Sequence, residues 1–251
     1  MKQTLSASEK IRYARHLNIP EIGETGQILL KSFAVLIVGA CGLGSASASY
    51  LAAAGVGRIG IIDSDKVELS NMQRQIMHSM STLGMVKVES ARKRLLDINP
   101  LIKVETYNAR IDHNNVNELL VDYSIVVDAK DNFETRYLIN QACVSLNKIF
   151  IYGAVYQFYG QMSVFASASG PCFKCVFRKT PTPEFIQANQ GVGVVGALPG
   201  IIGSMQALEV IKLLLNIGSP AVGRLLLYDG LAMNFQDVRV EKDPDCPICS
   251  K

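Results

Sequence analysis

The sequence predicts an α/β fold, with a mostly parallel, Rossmann-like sheet in its first part and an antiparallel C-terminal extension. Three observations carry this. Short β-rich apolar runs alternate with helical periodicities between residues 33 and 152, the pattern of a parallel sheet with helical crossovers. A glycine turn, Gly39, Gly42 and Gly44, stands between one such run and a small-residue segment. Beyond residue 160 the runs alternate apolar and polar residues, like half-exposed antiparallel strands.

Taken in order, Ser6 and Glu9 form a capping box that opens a short helix carrying Arg12 and Arg15 on neighbouring positions. Residues 33–38 read as a buried strand, residues 45–54 as a helix ending at Gly55, and residues 59–62 as a second strand closing on Asp63. Residues 86–99 keep Val88, Ala91, Leu95 and Ile98 on one helical face, with Lys87 in the first turn and Pro100 as the stop. Strands follow at 103–107 and 124–127 with a helix at 115–121 between them, then a helix at 132–146 and a strand at 149–152. A half-exposed strand is expected at 160–166. Pro181, Pro183 and the glycines of residues 191–203 mark a long irregular crossing, after which a helix resumes at 204–215, with strands at 225–228 and 233–240. With no internal repeat or low-complexity linker, residues 1–251 read as one domain: an N-terminal helical segment (1–30), a nucleotide-binding half (31–155) and a second half (156–251).

Composition narrows the function. The chain is 49% hydrophobic and 19% charged, which suits an ordered globular protein and not a disordered one. Its 25 basic and 22 acidic residues form no dense basic run, so no nucleic-acid partner is expected. The mixed charge of the first residues and the glycine-broken apolar stretch 192–202 argue against a leader or membrane span, and a cytoplasmic location is expected.

Cys41 stands where G-x-G-x-x-G needs its middle glycine, so the turn is G-x-x-G-x-G. Its backbone N–H groups and the following helix N-terminus can face phosphate, Gly42 lets the backbone come close, and Asp63 can accept from ribose hydroxyls. That acid is equally the signal of an NAD site. Taken singly, Arg74 and Lys87 read as surface charges; only their joint spacing, a set of phosphate-seeking groups that hydride transfer does not need, favours a triphosphate.

Four of the six cysteines form two C-x-x-C pairs, Cys172/Cys175 and Cys246/Cys249, separated by 70 residues. In a chain without an export signal, four thiolates so arranged favour a closed structural Zn²⁺ site over disulfides, with redox or chance pairs as the alternative. Cys41 and Cys143 read as small buried fillers, and His16, His78 and His113 carry no ligand-like spacing.

Several segments together resemble the ThiF/MoeB/HesA family, bacterial relatives of the ubiquitin-activating enzymes. They are RYARHLNIPEIGETGQ (12–27), VGACGLGS (38–45), LSNMQRQ (69–75), KVESA (87–91), the DN of Asp131 and Asn132, GQMSVF (160–165), both cysteine pairs and GSMQALEVIKLL (203–214). The resemblance implies an adenylyltransferase: the C-terminal glycine carboxylate of a ubiquitin-like sulfur-carrier protein ending in Gly-Gly attacks the α-phosphate of ATP, releasing pyrophosphate. It implies that Ser70, Asn71, Gln73, Arg74 and Lys87 contact or line the phosphate pocket. Asp131, with Asn132 beside it, would hold Mg²⁺ or orient the reacting groups. Arg15 would reach the ATP site of the neighbouring subunit of a homodimer, and residues 156–251 would hold the zinc and the carrier.

Two features depart from the family pattern. Asn189 stands about where many relatives carry a crossover cysteine, and no cysteine lies between Cys175 and Cys246. Covalent relay is therefore in question, whereas adenylation needs no protein nucleophile. Ala129 and Lys130 precede Asp131 where relatives often show Cys-Thr or Gly-Ser; a lysine there can bind phosphate or compete with the metal. An adenylating enzyme with a peptide or tRNA-linked acceptor, and a non-catalytic binding scaffold, are the alternative functions.

Overall fold

A computed structural model describes residues 4–182, 184, 187 and 191–250. The N-terminal helices are α1 (Ala7–Arg12), α2 (Ala14–Leu17) and α3 (Gly23–Ser32). The alternating part follows as β1 (Ala34–Val38), α4 (Gly42–Ala54), β2 (Arg58–Ile62), α5 (Lys87–Ile98), β3 (Lys103–Tyr107), α6 (Val116–Leu120), β4 (Ile125–Asp128) and α7 (Phe133–Ser145). The second half contains β5 (Ile149–Tyr156), β6 (Tyr159–Phe165), α8 (Phe173–Val176), α9 (Ala197–Leu215), β7 (Arg224–Asp229) and β8 (Asn234–Arg239).

All eight strands join one sheet in the order β3-β2-β1-β4-β5-β6-β7-β8. The first five are mutually parallel, and from β5 onward each neighbour is antiparallel. β1 is buried along its whole length, as a central parallel strand with helices on both faces must be. Leu30, Leu51, Val88, Leu95 and Val210 pack on one face of the sheet, and Leu120, Leu138, Ile139 and Phe173 on the other. Each fully buried aliphatic contributes about 1.5–3 kcal/mol relative to exposure.

The helix expected at 204–215 begins seven residues earlier, at Ala197. Pro199 lies in its first turn, where an amide has no intrahelical acceptor to lose. Gly203 does not interrupt the helix either: a Cβ there would lie 2.5 Å from the Leu43 carbonyl oxygen, so its bare backbone is what lets α9 cross close to α4. This helix is long and apolar enough to cross a membrane, and half of it is buried in the fold.

At the N-terminus the Ser6/Glu9 box is present, but the single helix expected to carry both arginines breaks at Tyr13. Arg12 then donates to the Ile98 carbonyl at 2.8 Å, while Arg15 on α2 is exposed. β5 runs four residues past the expected end at Tyr152, because the hairpin with β6 extends the ladder to the Tyr156–Tyr159 pair. Pro183 and Asn189 lie outside the described residues.

Candidate active site and zinc centre

Because β1, β2 and β4 are parallel, the segments following them meet at one edge of the sheet: the glycine turn, Asp63, and the loop 129–132. α4 starts at this edge. Its N-cap Cys41 makes no side-chain capping bond, so no side chain of the cap occupies the first-turn amides, the groups that receive an anion at a helix start.

The three glycines are required for reasons that differ from the expectation. Gly39 has φ +110°, and a Cβ on it would meet the Ala129 carbonyl oxygen at 2.7 Å; at Gly44 a Cβ would lie 2.0 Å from the Gly39 carbonyl oxygen. These two bring the helix close to the strands. Gly42, expected to let the backbone approach phosphate, also makes room for Pro199 of α9, whose Cβ lies 2.8 Å from the position a Gly42 Cβ would take.

Asp63 is 1% exposed. Its Oδ2 accepts from the Ala40 N–H at 2.8 Å and its Oδ1 from the Asp65 N–H at 2.9 Å. The carboxylate therefore braces the glycine turn, a role the sequence reading did not assign to it.

Lys87, first residue of α5, is 4% exposed, with its Nζ 3.1 Å from Asp65 Oδ2. Burial alone would pull its pKa down, but the Cys41 thiol and the Asp63 and Asp65 carboxylates outweigh that and raise it. It stays cationic. Arg74 is half-buried and donates to the Ser70 carbonyl at 3.1 Å, leaving most of its fork unused. Asn71 is buried and accepts from the Glu68 N–H; Ser70 Oγ lies 3.3 Å from Glu68 Oε2. Gln73 is exposed and donates to the Val194 carbonyl at 3.1 Å, so the end of the crossing segment is tied to the pocket rim.

Asp131 is exposed, and its carboxylate makes no hydrogen bond or ion pair among the described residues. The N-cap of α7 is Asn132, whose Oδ1 accepts from the Thr135 N–H at 2.9 Å. The cap of α7 is therefore Asn132 and not Asp131, which gives Asn132 a structural task.

Several site residues escaped the sequence reading. Buried Asp128 accepts from Arg136 Nε at 2.8 Å and from the Lys130 N–H at 3.0 Å; Arg136 also donates to the Lys130 and Gly153 carbonyls. Gln206 of α9 donates to the Asp128 carbonyl at 2.8 Å. Together they hold rigid the loop that presents Asp131. The signal available was a charged residue ending an apolar strand, and a glutamine inside an apolar helix.

His78, read as idle, contacts the Ala40 carbonyl through Nε2 at 2.9 Å and Ser90 Oγ through Nδ1 at 2.9 Å. Burial lowers its pKa below the ordinary 6.5, so it is neutral at pH 7 and links the glycine turn to the helix bearing Lys87. Cys41 is only partly buried by surface area, but protein encloses its sulfur, which lies 3.8 Å from Asp63 Oδ2. Burial and that carboxylate push the thiol up to about 11, so it is a protonated thiol rather than a nucleophile.

Further along α7 from Asp131, the sulfurs of Cys172, Cys175, Cys246 and Cys249 lie within 4.8 Å of one another, and all four residues are buried. The contacts Cys172–Cys246, Cys172–Cys175 and Cys175–Cys249 measure 3.7, 3.8 and 3.4 Å. Four Zn–S bonds of about 2.3 Å arranged tetrahedrally put sulfurs about 3.8 Å apart, so the donor set fits Zn²⁺, and no pair approaches disulfide length. Asn140 orients the site, with Nδ2 3.7 Å from Cys172 Sγ and Oδ1 accepting from the Phe173 N–H at 2.8 Å.

The ThiF family model matches residues 13–248. The chain belongs to the ThiF family. It is 45% identical over 243 residues to the sulfur carrier protein adenylyltransferase of Thermus thermophilus, covering 95% of this chain and 90% of that protein. The SAMP-activating enzyme E1 of Haloferax volcanii is 43% identical and is covered to 93% of its length. The adenylyltransferase and sulfurtransferase MOCS3 of Culex quinquefasciatus is 46% identical, but this ThiF-family chain spans only 56% of it. Among solved structures, E. coli MccB with ATP superposes at a TM-score of 0.85 with 22% identity, covering 96% of this chain and 75% of that one. That likeness shows the shared fold.

Proposed function

We propose that this chain is an ATP-dependent adenylyltransferase that activates the C-terminal glycine carboxylate of a ubiquitin-like sulfur-carrier protein, working in the cytoplasm as a homodimer. The observation that carries the reading is the exposed Asp131 carboxylate, unpaired among the described residues, which shares one sheet edge with the uncapped α4 amides, Lys87 and Arg74.

Two anions must meet: a carrier carboxylate oxygen attacks the α-phosphorus of ATP, and the bond to the bridging oxygen breaks as pyrophosphate leaves. The protein's task in such a transfer is positioning and charge neutralisation. The α4 amides receive phosphate oxygens, while Lys87 and Arg74 offset their charge. Asp63 holds the glycine turn and is the group nearest to serve the ribose. Bound at Asp131 and the phosphates, Mg²⁺ would draw charge from the reacting α-phosphate. Ser70, Asn71 and Gln73 shape the pocket floor and rim.

Residues 156–251 supply the carrier seat. The face of β5–β8 away from α9 holds a groove of about 410 Å³ lined by Ala154, Tyr156, Tyr159, Gln161 and Leu227. Phe235 and Val238 of the edge strand β8 are 50% and 41% exposed. An apolar, half-aromatic floor beside an open strand edge suits a small folded partner with an extended tail.

The test is ATP–pyrophosphate exchange. Exchange should require a Gly-Gly-ending carrier and Mg²⁺-ATP; binding of NADH with no response to Mg²⁺-ATP would return the glycine turn to a dehydrogenase.

Arg15 supports the dimeric part of the reading. Tyr13 packs on Gly55 at the C-terminal end of α4, and His16 contacts Gln27, which donates to the Ala54 carbonyl at 2.8 Å. The nucleotide turn lies at the opposite end of that helix, about 20 Å away at 1.5 Å per residue, beyond the reach of Arg15, which supports a role for it in a partner subunit's site. Arg15→Ala and Asp131→Ala proteins should each be inactive. Equal mixing should restore about a quarter of wild-type activity, because half the dimers are mixed and each of those has one intact site. No recovery on verified exchange of subunits would refute the composite site.

A further inference from the structure

The lysine that departs from the family pattern occupies a defined place. Lys130 has its main chain clamped on both sides: its N–H donates to Asp128 Oδ1 at 3.0 Å and its carbonyl accepts from Arg136 at 2.6 Å. Its stem lies over the glycine turn, with Cδ 3.0 Å from where a Gly39 Cβ would stand. The side chain is 21% exposed, and its one polar contact among the described residues is Asp63 Oδ2 at 3.9 Å. That is too long for a hydrogen bond.

Asp63 has no need of a closer partner, since two backbone amides already serve its oxygens at 2.8 and 2.9 Å. Among the described residues the Lys130 ammonium therefore donates no hydrogen bond, and it stands beside the uncapped start of α4. Lys87, by contrast, is bonded to Asp65. The turn edge carries three carboxylates, Asp63, Asp65 and Asp131, and a polyphosphate adds more negative charge. Of the three cations set into that edge, Lys87, Arg74 and Lys130, Lys130 has the loosest tie among the described residues.

We propose that Lys130 is a direct ligand of the ATP phosphates in this chain, supplying a fixed positive charge that makes nucleotide binding less dependent on Mg²⁺. The inference rests on the adenylation reading above. On ATP binding the ammonium swings from its loose contact with Asp63 to phosphate oxygens, while its stem stays on Gly39. Standing next to Asp131, it also shares with the metal the task of offsetting phosphate charge.

Calorimetric titration of wild type, Lys130→Gln and Lys130→Arg with ATP and with adenosine, in Mg²⁺ and in EDTA, tests this. Wild type should retain ATP binding in EDTA. Lys130→Gln should weaken ATP about tenfold in EDTA and less in Mg²⁺. Adenosine affinity should stay the same, and Lys130→Arg should restore most of the ATP affinity. Equal losses for ATP and adenosine would mean that Lys130 acts on the ribose through Asp63 and would overturn the proposal, as would no loss at all. A wild-type protein that binds no ATP would overturn the adenylation reading too, whereas unaltered ATP binding in Lys130→Gln removes this inference alone.

Discussion

Asp131→Ala should abolish carrier-dependent ATP–pyrophosphate exchange, by about a thousandfold or more, while leaving the melting temperature and zinc content unchanged. The two halves of this expectation come from the same geometry. The carboxylate is exposed and unpaired among the described residues, so its removal breaks no contact that holds the fold. Its service belongs to the reacting complex, where losing a group that stabilises the transition state lowers turnover more than binding. Asn132→Ala provides the contrast: losing its bond to the Thr135 N–H should cost about 1 kcal/mol of stability. Normal exchange by Asp131→Ala would remove Asp131 from the reaction and leave the pocket without its metal ligand. Cys41→Ala and Cys143→Ala should keep exchanging, because both thiols are held protonated by burial. If either proved essential and trapped the carrier as a hydroxylamine-sensitive thioester, adenylation without covalent relay would be wrong.

Purified without added metal, the protein should carry one zinc per chain, and Cys246→Ser should lose both the metal and several kcal/mol of stability. The sulfurs join α8 to a C-terminal segment whose other ties among the described residues include Arg178–Asp243 at 3.3 Å, Lys242 with the Ser167 carbonyl at 3.2 Å and the packing of Ile248 beside the cysteines. Pairs of that kind contribute at most about 1 kcal/mol, whereas metal affinity adds directly to folding free energy. Metal analysis and thermal denaturation with and without a strong chelator measure the effect. Because thiols must lose protons to bind, zinc loss should be promoted by acid. A zinc-free protein of undiminished stability would refute the assignment.

Much of this architecture was legible in the chain itself. Continuous apolar runs such as residues 33–38 and 59–62 identify buried parallel strands because both faces must be covered, and lone turn glycines identify where the chain doubles back. The cysteine pairs were readable from spacing alone, since sulfur is rarely placed twice in that pattern by chance. The start of α9 was not, because Pro199 and Gly203 are helix breakers by local propensity. Their tolerance depends on a free first-turn amide and on the close crossing with α4, which are tertiary facts. At the site, the ligand-type residues stood out, but their supports did not. Asp128, Arg136 and Gln206 lie 8 to 78 residues apart in sequence, and no local pattern announces a buried network assembled from β4, α7 and α9. The reason for Gly42 was likewise hidden, since Pro199 arrives from more than 150 residues away.

A zinc held by the four cysteines would also set a clock on biosynthesis. Cys172 and Cys246 are 74 residues apart, so at about 5–20 residues per second the ribosome needs roughly 4 to 15 s to deliver the second pair after the first. Throughout that interval Cys172 and Cys175 have emerged as an incomplete dithiol, open to oxidants and to softer metal ions, with the α7–α8 region waiting for its closing ligands. Cells short of free zinc or under oxidative load should therefore lose newly made chains at this step, while molecules that have already closed the site persist.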